Sequence, residues 1–438
     1  MKFVTGEGKK PTTYQQIAEG GQNNPVTVHG AVCALRDMGG LTFLTLRLAR
    51  GEVQCVCPPE VLPQGLREEC CVELSGSLRE EPRAPGGFEI AAESIAVLSR
   101  PAAPMPVALG KKRLELNLDT GLALRPAVLR HRRERAVFKI QEGLVRAFRD
   151  YLTGEGFTEV HTPKIVHAGA EGGSNIFKLD YFGKKAFLAQ SPQFYKQTMV
   201  GVFERVFEVG PVFRAEKHAT PRHLNEYTGL DFEMGYISSF YDVMEMETGY
   251  LRRAMELLAR EYGPELELLG VELPGADQIP CLRFADAKRL AAERYGYQIW
   301  DPYDLEPEEE LHIGRYAKEE FGSDFVFVTH YPSKKRPFYA MDDPEDPKYT
   351  LSFDLLFRGM EVTTGGQRIH DYARQVAKME ARGMDPAEFE SYLMIHKHGM
   401  PPHGGLGIGL ERLTMKLCGL DNIRCASLFP RDRTRLEP

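Results

Sequence analysis

Residues 99–112, Ser-Arg-Pro-Ala-Ala-Pro-Met-Pro-Val-Ala-Leu-Gly-Lys-Lys, interrupt every periodicity in the chain. A proline-rich run lacks the amide protons of a helix or central strand and carries no apolar repeat, so the segments on either side must bury separate cores. The 438 residues suffice for two or three such cores. The expected division is residues 1–98, a joint over 99–125, and a larger domain over 126–438 with an insertion near 263–349.

Ahead of the joint, five short runs alternate apolar and polar residues: Val26–Val32, Leu41–Leu46, Glu52–Val56, Val72–Leu78 and Phe88–Ile90. Glycine and proline turns separate them, a pattern that suits a small closed β-barrel of the OB type. Beyond the joint, Val137, Ile140, Leu144, Val145 and Phe148 recur at helical spacing. Alternating helical and strand-like segments follow, as in an α+β domain built on an antiparallel sheet flanked by helices. The acidic stretch Asp301–Glu310 reads as an exposed connection.

Apolar content of 42 % and charged content of 27 % are those of a globular protein. The N-terminus has no apolar stretch to act as a signal, and no segment approaches the roughly 18 uncharged residues of a membrane span, so a cytoplasmic location and no membrane partner are expected. The eight cysteines include Cys55-x-Cys57 and Cys70-Cys71, poor spacings for zinc or for a disulfide, so reduced and mostly buried thiols and no resident zinc are expected. A net charge of -7 argues against indiscriminate coating of nucleic acid and leaves room for a local basic face.

Two elements carry the chemistry. The first, Phe213-Arg-Ala-Glu-Lys-His-Ala-Thr-Pro-Arg-His-Leu-Asn-Glu-Tyr227, is a charge-dense hairpin that runs on into Leu230-Asp-Phe-Glu-Met. The second is Gly404-Gly-Leu-Gly-Ile-Gly-Leu-Glu-Arg412. A glycine pattern alone is a weak signal. This one lacks a dinucleotide-fold context, and no Gly-Lys-Ser/Thr element completes a P-loop, which leaves a strand-to-helix junction where backbone can approach a nucleotide. Together the two resemble motifs 2 and 3 of class II aminoacyl-tRNA synthetases.

Amino-acid activation sets a carboxylate against the α-phosphate of ATP, so cations and a metal must offset repulsion and hold the attack in line. Arg214 is suited to neutralise both groups, since a guanidinium makes paired hydrogen bonds to either. Glu216, read as pointing the same way from a strand, would accept from the adenine amino group. Tyr227 would stack on the purine with Arg412 closing the other side, and Arg222 and His223 would meet the outer phosphates or the ring. Glu361 and Thr364 are oxygen donors suited to Mg²⁺ that arrives with ATP. Each residue taken alone also reads as part of a structural ion pair.

Gln190-Ser-Pro-Gln-Phe-Tyr-Lys196-Gln, the hairpin, Thr364-Gly-Gly-Gln-Arg368-Ile-His and Met400-Pro-Pro-His-Gly-Gly closely resemble the archaeal-type aspartyl-tRNA synthetases, from about residue 25 to Pro438. The resemblance implies a class II catalytic domain, an N-terminal OB anticodon-binding domain, and a homodimer whose interface includes the motif 1 region Gly156–Pro163. It implies an aspartate site of Glu171, Gln193, Lys196, Arg214, Asp231, Glu233, Thr364 and Arg368. It implies an ATP site of Arg214, Glu216, Arg222, His223, Leu224, Tyr227, Glu361, Gly409, Leu410, Glu411 and Arg412. Catalysis would fall to Arg214, Glu361 and Arg412, and Mg²⁺ to Glu361 and Thr364. Thr364 stands where the family commonly has Ser.

Lys196 and Arg368 also have a physical reading. Two cations converging on a pocket favour aspartate and would be left short of a counter-charge by asparagine. Asparaginyl enzymes, the runner-up, usually lack this lysine. A catalytically silent RNA-binding paralogue is the other alternative. In the barrel, Arg36, Phe43, Gln54 and Glu89 are candidates to meet the anticodon, although Phe43 reads equally as barrel core. Pro85, before the last barrel strand, resembles the feature of members that accept tRNA(Asn) as well as tRNA(Asp). Cys33 matches neither the tolerant nor the strict pattern. The expected function is ATP-dependent charging of tRNA(Asp) with aspartate, and of tRNA(Asn) as a second substrate.

Overall fold

The computed structural model describes residues 8, 10–167, 175–217 and 219–437, and the chain divides into two compact units, Met1–Glu134 and Arg135–Pro438. In the first unit the alternating runs become β1 (Pro25–Asp37), β2 (Thr42–Arg47), β3 (Glu52–Cys57), β4 (Cys71–Glu80) and β5 (Phe88–Ser99), closed in the order β1-β2-β3-β5-β4. Period-two alternation sends Leu44, Leu46, Val53, Cys55, Leu74 and Ile90 into one core. It leaves Phe43 half-buried on the outer face, outside that core. All eight thiols are free, but Cys71 and Cys281 are exposed rather than buried. Cys70 fills the barrel, and the next residue along an extended chain must point outward.

The second unit is organised on eight strands in the order β12-β13-β14-β15-β16-β11-β10-β6. These are β6 (Thr158–Glu159), β10 (Arg205–Phe213), β11 (Glu226–Gly235), β12 (Cys281–Arg283), β13 (Phe325–Thr329), β14 (Ser352–Phe357), β15 (Glu361–Gln367) and β16 (His403–Gly409). Pairing is antiparallel from β13 to β10 and parallel only at the two edges. A small separate sheet joins β7 (Ile165–Val166), β9 (Lys184–Leu188) and β8 (Lys178–Tyr181).

The helices Arg132–Gly154 and Tyr241–Glu261 cover one face of the large sheet. Ile140, Leu144, Phe148, Tyr250 and Leu258 meet Phe207, Phe232, Phe353 and Leu406 there. Because Leu230, Phe232 and Met234 of β11 enter this core, Asp231 and Glu233 emerge on the opposite face. That alternation decides where the charged residues of the hairpin strand go.

The stretch expected as an insertion extends the sheet through β12 and β13, and carries the helices Phe284–Tyr295 and Pro307–Phe321 over a core of its own. The second half of the acidic run is the start of the Pro307–Phe321 helix. Glu309 and Glu310 are buried there, which corrects the expectation of an exposed connection. Gly314 of that helix abuts the turn before β15 so closely that a Cβ would lie 2.5 Å from the Gly359 nitrogen.

Glu247 sits on the core side of the sheet with no exposure and accepts from the Thr363 hydroxyl at 2.5 Å. Burial pushes its carboxyl up to about 8, the Thr363 bond opposing and Asp354 adding to the rise. The folded chain therefore keeps a proton on Glu247 that the unfolded chain releases near pH 4.5, so this group's contribution to stability is greatest below that pH and falls toward pH 8, by up to about 1.4 kcal/mol per pH unit. Glu247→Gln is expected to flatten this slope, read from urea unfolding at pH 6 and pH 8.

Candidate active site

The sheet face opposite the helical core lines a cavity of about 1100 Å³. Its walls include Gln193, Lys196, Arg214, Glu216, Arg222, His223, Leu224, Tyr227, Asp231, Glu361, Thr364, Arg368, Gly409, Glu411 and Arg412, which the chain contributes from positions more than two hundred residues apart. Glu233 lies behind the wall, Leu410 is buried in the core, and Glu171 falls outside the described residues.

At one end is a buried cluster of four charges. Gln193 and Lys196 lie one turn apart on the helix Gln193–Phe203, on the same side. The Lys196 ammonium, 1 % exposed, donates to Asp231 Oδ1 at 2.9 Å and to the Leu406 carbonyl at 2.8 Å, and lies 3.4 Å from Glu233 Oε2. Arg368 donates through Nε to Glu233 Oε1 at 2.8 Å and through Nη2 to the Gly405 carbonyl at 2.8 Å. Glu233 thus joins the two cations. Burial tends to raise its pKa, but Arg368 and then Lys196 outweigh it and hold the carboxyl below its usual range. At Asp231 burial prevails over Lys196 and the shift is upward.

Gly405 makes this packing possible: a Cβ there would lie 2.2 Å from both Glu233 Oε2 and the Phe232 carbonyl. The space this glycine frees is filled by protein, whereas the sequence suggested room for a nucleotide. The junction itself is as expected, with β16 passing through Gly409 into the helix Leu410–Leu417.

At the other end stand Glu361 and Thr364. Residues three apart on a regular strand face opposite ways, but pairing of β15 with β14 slips between Leu355 and Leu356, leaving Val362 unpaired in a bulge. Glu361 and Thr364 therefore share the cavity face, with Thr364 Oγ1 donating to Glu361 Oε1 at 3.3 Å. Arg412 Nη1 donates to the same carboxylate at 3.3 Å and to the Glu361 carbonyl at 3.1 Å. Burial opposes ionisation of Glu361, yet Arg412, Arg336, Arg214 and Arg222 together depress its pKa. An ionised carboxylate beside a hydroxyl fits Mg²⁺, and the two donors leave most of an octahedral shell to phosphates and water. Among the described residues no three His, Cys, Asp or Glu side chains group as a metal site.

Arg214 and Glu216 lie beyond the end of β10, which corrects the strand expectation. Arg214 is held by its N–H to the Asn225 carbonyl at 2.9 Å, and the Glu216 carboxylate accepts from Asn175 at 3.2 Å. His223 shares a 2.5 Å hydrogen bond with Thr220, and burial, then Arg412, lowers its pKa, favouring the neutral ring. Glu411 accepts the Thr228 N–H at 3.0 Å, and burial pushes it up to about 7.

Sequence reasoning missed three groups here. Arg336 lines the cavity, lies 2.8 Å from Asp354 and stacks 3.9 Å from the Tyr331 ring centroid. Asp354 faces Thr364 across the β14–β15 pair, and burial raises its pKa to about 6 with Arg336 opposing. Glu310 accepts from Arg222. The run Lys334-Lys335-Arg336 was the one available signal, but it lay in the stretch read as an insertion.

On the barrel, Gln54 donates to Glu89 at 3.0 Å across the β3–β5 pair, and Phe43 pairs with Arg36 across β1 and β2. Pro85 opens the turn Pro85–Gly87 ahead of β5.

A central antiparallel sheet that brings a charged hairpin and a glycine-rich strand-to-helix junction to one cavity, in a chain that also carries an OB barrel, defines a class II aminoacyl-tRNA synthetase. Residues 117–433 match the family of class II tRNA synthetases (D, K and N), and residues 26–98 match the OB-fold nucleic acid binding domain. The chain belongs to this synthetase family, whose members use ATP, an amino acid and tRNA. It is 48 % identical over 441 residues to an aspartate–tRNA(Asp/Asn) ligase of Deinococcus radiodurans, covering 99 % of this chain and 100 % of that one. It is 50 % identical to the protein of the same name from Thermus thermophilus, over 92 % and 94 % of the two chains. Among solved structures, asparaginyl-tRNA synthetase from Pyrococcus horikoshii complexed with asparaginyl-adenylate is similar, with a TM-score of 0.88 and 31 % identity over 98 % and 100 %. No described helix is long and apolar enough to cross a membrane.

Removing the charge of Glu233 would leave two buried cations facing Asp231 alone. Glu233→Gln is expected to destabilise the chain by about 3–5 kcal/mol, measured as a shift in the urea midpoint.

Proposed function

We propose that the chain activates L-aspartate with ATP and transfers it to tRNA(Asp) and tRNA(Asn). The observation that carries the amino-acid assignment is that Lys196 and Arg368 line the same cavity and meet at Glu233. An aspartate side chain brings negative charge to these cations and asparagine does not. The names of the Deinococcus and Thermus relatives agree with this reading over the asparaginyl alternative. The complete set Arg214, Glu361, Arg368 and Arg412 around the cavity argues against a silent paralogue.

In this reading Gln193, Lys196, Arg368 and Asp231 hold the amino acid, with Glu171 at its amino group and Glu233 as the counter-ion behind. Arg214 neutralises the attacking carboxylate and the α-phosphate, while Tyr227 and Arg412 enclose the purine and Glu216 accepts from its amino group. Arg222 and His223 meet the outer phosphates, and Leu224 and the 409–412 backbone close the nucleotide site. Glu361 and Thr364 would hold Mg²⁺, which neutralises phosphate charge when bound. AMP and pyrophosphate are the by-products.

The outward patch of Arg36, Phe43, Gln54 and Glu89 is the anticodon surface in this scheme, and Pro85 shapes the turn that admits a second tRNA. A homodimer and a cytoplasmic location belong to the same proposal. Exposed Val202, Phe203 and Tyr236 support the dimer, since the Gly235 N–H bonds the Glu204 carbonyl and brings these apolar groups together.

ATP–pyrophosphate exchange is expected to proceed with aspartate and to be at least about a hundredfold weaker with asparagine, and Lys196→Leu is expected to abolish the aspartate reaction. Equal exchange with both amino acids would overturn the assignment. Charging of a tRNA(Asn) transcript at less than about a hundredth of the tRNA(Asp) rate would restrict the enzyme to tRNA(Asp).

A further inference from the structure

Arg222 belongs to the motif 2 hairpin, yet its partner comes from the stretch to which sequence reasoning could assign no role. Its Nη2 donates to the Glu310 carboxylate on the helix Pro307–Phe321. The same Glu310 Oε2 accepts the backbone N–H of Glu361 at 3.1 Å. Glu310 is only 5 % exposed, so this contact is built into the wall rather than formed by a solvated side chain. The close approach of Gly314 to Gly359 sets the helix low enough over the turn for one carboxylate to reach both groups.

The electrostatics explain why the site needs it. Arg412, Arg336, Arg214 and Arg222 all act on Glu361, an accumulation of positive charge that repels itself when no triphosphate is bound. Arg412 is paired with Glu361, Arg336 with Asp354 and Arg222 with Glu310. Without Glu310 the Arg222 guanidinium would face its neighbours uncompensated, and an arginine on a hairpin relieves such repulsion by swinging into water. Glu310 takes the Nη2 end of the guanidinium edge that Nε and Nη2 share. Arg222 Nε, on that same edge, is buried without a hydrogen-bond partner among the described residues. Arg222 also lines the cavity, and a phosphate oxygen is an acceptor its remaining donors suit.

We propose that Glu310 is a positioning residue for ATP: it fixes the Arg222 guanidinium and the Glu361 backbone in one geometry before the triphosphate arrives, making the Pro307–Phe321 helix part of the nucleotide site. The inference rests on the proposed assignment of Arg222 to the outer phosphates. It requires Glu310 to act through Arg222, and that dependence is measurable.

ATP and aspartate Michaelis constants in pyrophosphate exchange, taken for the wild type, Glu310→Gln, Glu310→Asp, Arg222→Ala and the double variant Glu310→Gln/Arg222→Ala, test it. Glu310→Gln is expected to raise the ATP constant about tenfold and to leave the aspartate constant within about twofold, and Glu310→Asp, which keeps the charge, to recover part of the loss. In the Arg222→Ala background the Gln substitution is expected to add less than about twofold. If Arg222→Ala raises the ATP constant while Glu310→Gln leaves it unchanged, the positioning role is overturned and the phosphate assignment stands. If Arg222→Ala itself leaves the ATP constant unchanged, both fall. A Glu310→Gln protein with a lowered melting temperature and both constants raised together would make Glu310 a structural residue only and overturn the proposal.

Discussion

The ion cluster of Lys196, Asp231, Glu233 and Arg368 is the constraint around which the catalytic unit is arranged. Four charges removed from water are tolerable only if each finds an opposite charge and its remaining hydrogen-bonding capacity is met by backbone. The Leu406 and Gly405 carbonyls supply that backbone, and both lie on β16, the strand beside β11. The register of two neighbouring strands and the position of the Gln193–Phe203 helix are thereby tied to one electrostatic solution. The amino-acid pocket inherits its shape and the positions of its two cations from the same solution.

A second electrostatic arrangement governs the nucleotide end, and it differs in kind. There arginines outnumber the carboxylates that directly face the cavity, and the balance comes from acids placed just behind the wall. A site of this type is strained toward binding polyanions, because each phosphate oxygen that enters relieves repulsion already present. The amino-acid end is nearly balanced and rigid. At the nucleotide end the face toward the cavity carries the cations and the compensating acids Asp354 and Glu310 stand partly behind them, which suits a ligand that brings its own negative charge.

Much of this was legible in the residues. The barrel strands followed from alternation, whereas the side to which Phe43 turns was open in the sequence and is set by the burial of Thr42 and Leu44 on either side of it. The hairpin and the glycine run were found because they concentrate unusual residue types at fixed spacing. Other features were hidden for physical reasons. Glu309 and Glu310 sit in a run of acids whose composition resembles a solvated loop, and only the tertiary approach of Gly314 to Gly359 shows which carboxylates turn inward. Asp354 comes beside Thr364 only when β14 pairs with β15, and Arg336 reaches Asp354 from the connection between β13 and β14, which no local pattern in the chain shows. Placing Arg214 and Glu216 on a strand failed because β10 stops at Phe213: Arg214 still bonds to Asn225 in register, but the Asn225 N–H turns to the Arg431 carbonyl and the Ala215 N–H to the Asn175 carbonyl.

The bulge at Val362 has a consequence for how this strand can vary. Because one supernumerary residue reverses the phase of everything after it, β15 has no tolerance for length change at that point, although it accepts changes of side chain. Deleting Val362 would restore uninterrupted pleating and rotate the acidic donor toward the phenylalanines beneath the sheet, while the threonine stayed in place. Sequence drift in this strand is therefore confined to substitution, and an alignment gap there would mark a chain that has lost its two-oxygen face.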